Sequence, residues 1–191
     1  MSKVAEIKYN DCTNGNGVCV SVWFSGCQFK CAGCHNPEAQ DFNFGQPLTA
    51  EQMDQIVSRL HENGVARSLS LLGGEPLNPH NECAAAALIE KAKRAYPETK
   101  IFIWTGYTLQ QLLERATEEE KNHAGAGMPP LVKILESANY IIDGRYEEAQ
   151  RNITLPLRGS ANQRIYARNE QNNHYDYQDI TAAVDKGVWI F

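Results

Sequence analysis

The sequence predicts an α/β fold, an incomplete and open (β/α) barrel of about four to six units. Three observations lead there. Apolar strand-like runs alternate with helix-like segments, the order that builds a parallel sheet with helices packed outside. Only about four or five such units fit in 191 residues, too few for a closed barrel of eight. Four glycine-, cysteine- or charge-bearing loops each follow a strand directly, and in parallel sheets ligands bind at the carboxyl ends of the strands.

The elements follow in order. Val18 to Phe24 reads as the first strand, rich in β-branched and aromatic residues. A loop dense in glycine and cysteine runs from Gly26 to Asn36. Thr49 is an N-cap with Gln52 three residues on, and Ile56, Val57 and Leu60 give the helix an apolar face that ends at Gly64. Ser68 to Leu72 is the second strand, closed by Gly73-Gly74. A helix from about Asn81 to Tyr96 stops at Pro97, with Cys83 expected in the core. Lys100 to Trp104 is the third strand and Leu109 to Glu120 the third helix, whose Glu118-Glu119-Glu120 run reads as a solvated face. His123 to Pro130 is a loop. A short helix over Leu131 to Glu136 precedes a strand at Ala138 to Ile142, and Gln163 to Ala167 makes a fifth.

The length suits a single domain, residues 1–191, with residues 170–191 as a C-terminal extension whose Ile180 to Val184 and Val188 to Phe191 cover the core. No apolar run approaches a bilayer span, and Met1 to Glu6 lacks a signal-peptide layout, so the expected location is the cytoplasm, with no membrane partner. A net charge of −5 argues against nucleic acid as a partner. Arg145, Arg151, Arg158, Arg164 and Arg168 crowd one stretch without a lysine, a choice that points to carboxylate or backbone recognition. His61, His80, His123 and His174 fall in helix, loop or tail contexts facing solvent.

Six cysteines in a chain of this kind point to metal rather than to disulfides. Cys27, Cys31 and Cys34 are spaced Cys-x3-Cys-x2-Cys. Three thiolates leave one corner of a four-iron cube open, and an open iron chelates a small molecule through an amine and a carboxylate. Gly26 and Gly33 permit the tight backbone this requires. A zinc site is the competing reading, with His35, Cys12 or Cys19 available as fourth ligand, which would make the chain a zinc-stabilised binding module. Gly73-Gly74-Glu75-Pro76 lets backbone carbonyls approach a ligand amine, with Glu75 adding negative charge; a plain turn is the alternative. Asp143 divides between a ligand role and a turn role, Trp104 between core and function, and Arg158 and Asn162 between a ligand carboxylate and a partner protein.

The cysteine spacing resembles the radical S-adenosylmethionine (SAM) superfamily, and Gly73-Gly74-Glu75 resembles its amine-binding motif. Gly33 stands where that superfamily often carries an aromatic residue. Trp104-Thr105-Gly106-Tyr107, Asp143-Gly144-Arg145-Tyr146 and Arg158-Gly159-Ser160-Ala161-Asn162-Gln163-Arg164, in that order, look like the activating proteins of anaerobic (class III) ribonucleoside-triphosphate reductases. The resemblance runs from about Asn10 to Arg164. It implies a [4Fe-4S] cluster on Cys27, Cys31 and Cys34, and SAM held by Gly33, Cys34, His35, Gly73, Gly74, Glu75 and Asp143. It further implies reductive cleavage of SAM to a 5′-deoxyadenosyl radical, which takes hydrogen from a glycine of the reductase large subunit, with no acid–base pair. The electron donor would be a flavodoxin- or ferredoxin-like carrier. Activation of another glycyl radical enzyme, such as pyruvate formate-lyase, and small-molecule radical SAM synthesis are the rival activities.

Overall fold

A computed structural model describes residues 1–123, 127–169, 171 and 175–188. One sheet of eight strands organises them, in the order β3-β1-β2-β4-β5-β6-β7-β8. The strands are β1 (Lys3–Asp11), β2 (Cys19–Phe24), β3 (Gln46–Pro47), β4 (Ser68–Gly73), β5 (Ile101–Trp104), β6 (Tyr140–Asp143), β7 (Arg164–Arg168) and β8 (Tyr177–Asp179). The helices are α1 (Ala50–Arg59), α2 (Glu82–Ala95), α3 (Leu109–Asn122), α4 (Pro130–Ser137) and the short α5 (Thr181–Val184).

The four central strands β2, β4, β5 and β6 are parallel, each joined to the next by helix. Beyond them the sheet turns antiparallel: β1 and β3 on one side, β7 and β8 on the other. The sequence reading is corrected in two places. The first strand is β1, half-buried or buried at Ala5, Ile7, Tyr9 and Asp11 with exposed residues between, and its pairing with β2 carries two irregularities. The strand after β6 returns antiparallel through a 144–163 excursion.

Strand periodicity separates two faces. Val20, Val22, Phe24, Leu69, Leu71, Ile101, Ile103 and Ile141 point outward into the larger core, packed against α1–α4. The opposite face is divided. Phe102, Tyr140, Ile142 and Ile165 form a second apolar cluster covered by Ile180 and Val184 of the C-terminal segment. Trp23, Leu72 and Trp104 face a cavity instead. Val188 is exposed, while residues 189–191, His174 and residues 124–126 lie outside the described part of the chain.

Local signals explain the helices. Thr49 and Gln52 form the expected capping box at α1, each bonding the other's backbone N–H. Thr108 and Gln111 build a second one at α3. Cys83 corrects another expectation: α2 buries Glu82, Ala85, Ala86, Leu88, Ile89 and Ala92, which leaves Cys83 on the solvent side with Ala87 and Glu90. Among the described residues no helix is long and apolar enough to cross a membrane.

Candidate metal centre

Register brings the motif loops together. Phe24 pairs with Gly73 and Trp104 with Ile142, so β2, β4, β5 and β6 end nearly flush. The loops that leave this edge carry Cys27–Cys34, Gly73–Glu75, Thr105–Gly106 and Gly144–Tyr146. All four line one cavity of about 530 Å³, together with Trp104, Leu157 and Arg158.

The cysteine loop is stitched to its neighbours by backbone bonds. Gly26 and Cys27 donate to the carbonyls of Ala39 and Gln40 at 2.8 and 3.1 Å. Gly74 donates to the Phe24 carbonyl at 2.7 Å, and Glu75 to that of Gly26 at 2.9 Å. Gly26 has φ +94°, and a Cβ there would lie 2.2 Å from the Phe42 ring, so only glycine serves this corner.

Of the residues read from the sequence, Cys27, Cys31, Cys34, His35, Gly73, Gly74 and Glu75 share the cavity wall. Gly33 lies beside it at the surface, with φ +68° and its α-carbon against the Glu148 carboxylate. Asp143 is turned elsewhere: it is buried, and its two oxygens accept the backbone N–H groups of Leu109 and Arg164 at 2.7 and 3.3 Å. It thus anchors the start of α3 to β7. Burial pushes its carboxyl above the usual range, against those two donors.

Glu75 is fully buried and already engaged. Oε1 accepts from Leu77 N–H and the Thr105 hydroxyl, both at 2.9 Å, and Oε2 accepts from Gly106 N–H at 2.7 Å. Burial nevertheless raises its pKa to about 7. The carboxyl therefore ties the Gly73–Glu75 turn to the loop after β5. Asn81 donates to the carbonyls of Ser25 and Glu75, joining α2 to the same turn.

The donor set fits a cluster. Backbone hydrogen bonding from Phe29 and Lys30 favours the Cys27 thiolate, and from Tyr146 the Cys31 thiolate, though burial outweighs it in both. Such donors stabilise thiolate and tune a cluster. Burial meanwhile pushes the metal-free Cys27 thiol up to about 11 and the Cys31 thiol upward, so metal loading must release protons. Among the described residues no three His, Cys, Asp or Glu side chains converge tightly enough for a single metal ion. A cubane places a different demand, because each thiolate takes its own iron.

Sequence reasoning missed Phe29 in the wall and the contacts that hold it. Phe29 packs edge-on against Tyr107, with ring centroids 4.9 Å apart. Gln28 donates to the Tyr107 hydroxyl, and Asn78 to Gln28, both at 2.7 Å. The aromatic at position 29, inside the cysteine spacing, was the available signal. The arginine stretch mostly recognises its own fold. Arg164 and Arg168 donate to backbone carbonyls, while Arg158 donates to the Gln163 carbonyl and pairs with Asp185. Asn162 donates to the Arg145 carbonyl, and Trp104 Nε1 to that of Leu157 at 2.7 Å.

Three cysteines spread along one loop, at the carboxyl edge of a parallel sheet, fit the class of single-cluster iron–sulfur proteins. The sequence model of a family described as "4Fe-4S single cluster domain" matches residues 13–166. The chain belongs to the family of anaerobic ribonucleoside-triphosphate reductase-activating proteins. The member from Pasteurella multocida (strain Pm70) is 32% identical over 157 residues, covering 82% of this chain and 91% of its own. That from Escherichia coli (strain K12) is 31% identical over 157 residues, covering 82% and 92%. The Enterobacteria phage T4 protein is 30% identical over 164 residues, covering 84% and 90%. No solved structure matches the chain.

Proposed function

We propose that this protein is a radical SAM activase that generates a glycyl radical on the anaerobic ribonucleoside-triphosphate reductase. One observation carries the reading: Cys27, Cys31 and Cys34 share a cavity of about 530 Å³ with the Gly73–Glu75 turn. That volume falls in the range of small-molecule sites. The relatives named above are activating proteins of that reductase, which supports the partner.

Cys27, Cys31 and Cys34 would hold a [4Fe-4S] cluster and leave its fourth iron for the amine and carboxylate of SAM. When bound, the pair supplies one-electron chemistry that breaks a sulfonium carbon–sulfur bond and removes a hydrogen atom from the partner's glycine. The chain's own work is placement. Carbonyls of the Gly73–Glu75 turn accept from the amine, and the buried Glu75 carboxyl keeps the turn in position. Trp23, Leu72 and Trp104 line the cavity with apolar surface and exclude water. No side chain has to move a proton. We take the sheet to be a partial barrel, open enough to admit a polypeptide loop. We take the donor to be a flavodoxin- or ferredoxin-like carrier, and the setting to be the cytoplasm.

The test is anaerobic reconstitution with iron and sulfide, then incubation with SAM and dithionite. The expected products are 5′-deoxyadenosine and, with the reductase present, a glycyl-radical EPR signal. Cys27→Ser, Cys31→Ser and Cys34→Ser should each abolish both. One zinc per chain with no iron would overturn the reading. So would a radical formed only on a different glycyl radical enzyme.

A further inference from the structure

Of the two described arginines that line the cavity, Arg145 is the one whose side chain finds no hydrogen-bond acceptor among the described residues. Arg158, Arg164 and Arg168 have carboxylate or carbonyl acceptors. The Arg145 side chain has neither a salt bridge nor a hydrogen bond among the described residues, although it is exposed and lines the cavity. Its position is nonetheless defined. The guanidinium carbon lies 4.5 Å from the centroid of the Phe29 ring. Phe29 in turn packs on Tyr107, and Arg115 covers the Tyr107 ring at 4.8 Å. Arg115 is itself fixed by ion pairing to the buried Glu82. The Phe29 ring also fills the space above Gly106, where a Cβ would sit 2.4 Å from it.

This ladder holds a permanent charge beside the cysteine loop. Phe29 lies between Cys27 and Cys31 in sequence. Arg145 also lines the same cavity as Cys27, Cys31 and Cys34. Reduction adds one electron to a cluster and makes it more negative, so a nearby fixed cation favours the reduced state.

We propose that Arg145, seated on the Phe29 ring, raises the reduction potential of the cluster and so eases its one-electron reduction by a low-potential carrier. It is a positioning residue acting through charge, and the inference rests on the cluster reading above. The consequence is specific to the oxidised-to-reduced step. Arg145 neither ligates iron nor takes part in bond breaking.

The test is an EPR-monitored redox titration of the reconstituted protein without SAM. Arg145→Gln should bind four irons and show a lower midpoint potential than the parent, and Arg145→Lys should restore most of the difference. Phe29→Leu, which keeps apolar bulk over Gly106 but removes the ring, should fall between. Raising the salt should narrow the gap, because an exposed charge is screened. Equal potentials for the parent and Arg145→Gln, at full iron content, would overturn the proposal. So would a gap indifferent to salt, or one that appears only after SAM is added, which would make Arg145 a carboxylate-binding residue. A parent protein that takes up no four-iron cluster defeats the functional reading itself, and this inference with it.

Discussion

Glu75 should make the metal-free protein lose stability as the pH rises toward neutrality. Its carboxyl is fully buried, and its pKa rises from the ordinary 4.5 to about 7. Folding therefore strengthens proton binding at this site. Between those two values the unfolded chain has released the proton and the folded one still holds it. The contribution is complete below about 4.5 and is lost as pH climbs through about 7. At about 1.4 kcal/mol per pH unit, the whole effect is roughly 3 kcal/mol. Glu75→Gln removes the titration. The measurement is urea unfolding of metal-free parent and variant at about pH 5 and about pH 8, under reducing conditions. The parent's advantage over the variant should shrink by roughly 2–3 kcal/mol between the two. Glu82 and Asp143, whose carboxyls are also raised, are present in both proteins and cancel in the difference. Parallel stabilities across that range would refute the reasoning, showing that the three donors to Glu75 fully offset its burial.

Asp11 should show the opposite sign. Burial raises its carboxyl, but bonds from Asn14, Thr13 and Ser21 outweigh this and hold it well below the usual carboxylate range. Its stabilisation is present above an ordinary pKa of about 3.8 and fades as pH falls below it, so an acid titration of parent against Asp11→Asn should converge there. Gly106→Ala should drive the Phe29 ring out of place and lower iron retention after reconstitution, measured as iron per chain, with little change in helix content by circular dichroism. Asp185→Asn should destabilise by roughly 1–3 kcal/mol in chemical unfolding, because it leaves the buried Arg158 guanidinium without its carboxylate.

The metal-site reading came largely from spacing within eight residues. The three cysteines, the glycines that shape their loop and the Thr49–Gln52 cap all lie close along the chain, so their chemistry is local. Four strand-following loops were likewise legible from periodicity and turn residues, and the structure brings all four to one cavity. Asp143 stayed open in the sequence because Asp-Gly after a strand carries the same signature for a ligand and for an anchor. Its acceptors are spent on Leu109 and Arg164, the latter 21 residues along. Cys83 misled because an alanine-rich helix offers little contrast between its faces.

By itself, then, the sequence determined the spacing of the three cysteines, the helix starts and most strands, since each depends on neighbours a few positions apart. Only the tertiary structure decided that β1 lies antiparallel between β3 and β2 and that β7 returns antiparallel. It alone closed Glu75 beneath Thr105 and Gly106, and seated Arg145 on the Phe29 ring with no acceptor for its side chain among the described residues. Those outcomes depend on strand register and on contacts between distant segments, which no short window of residues specifies.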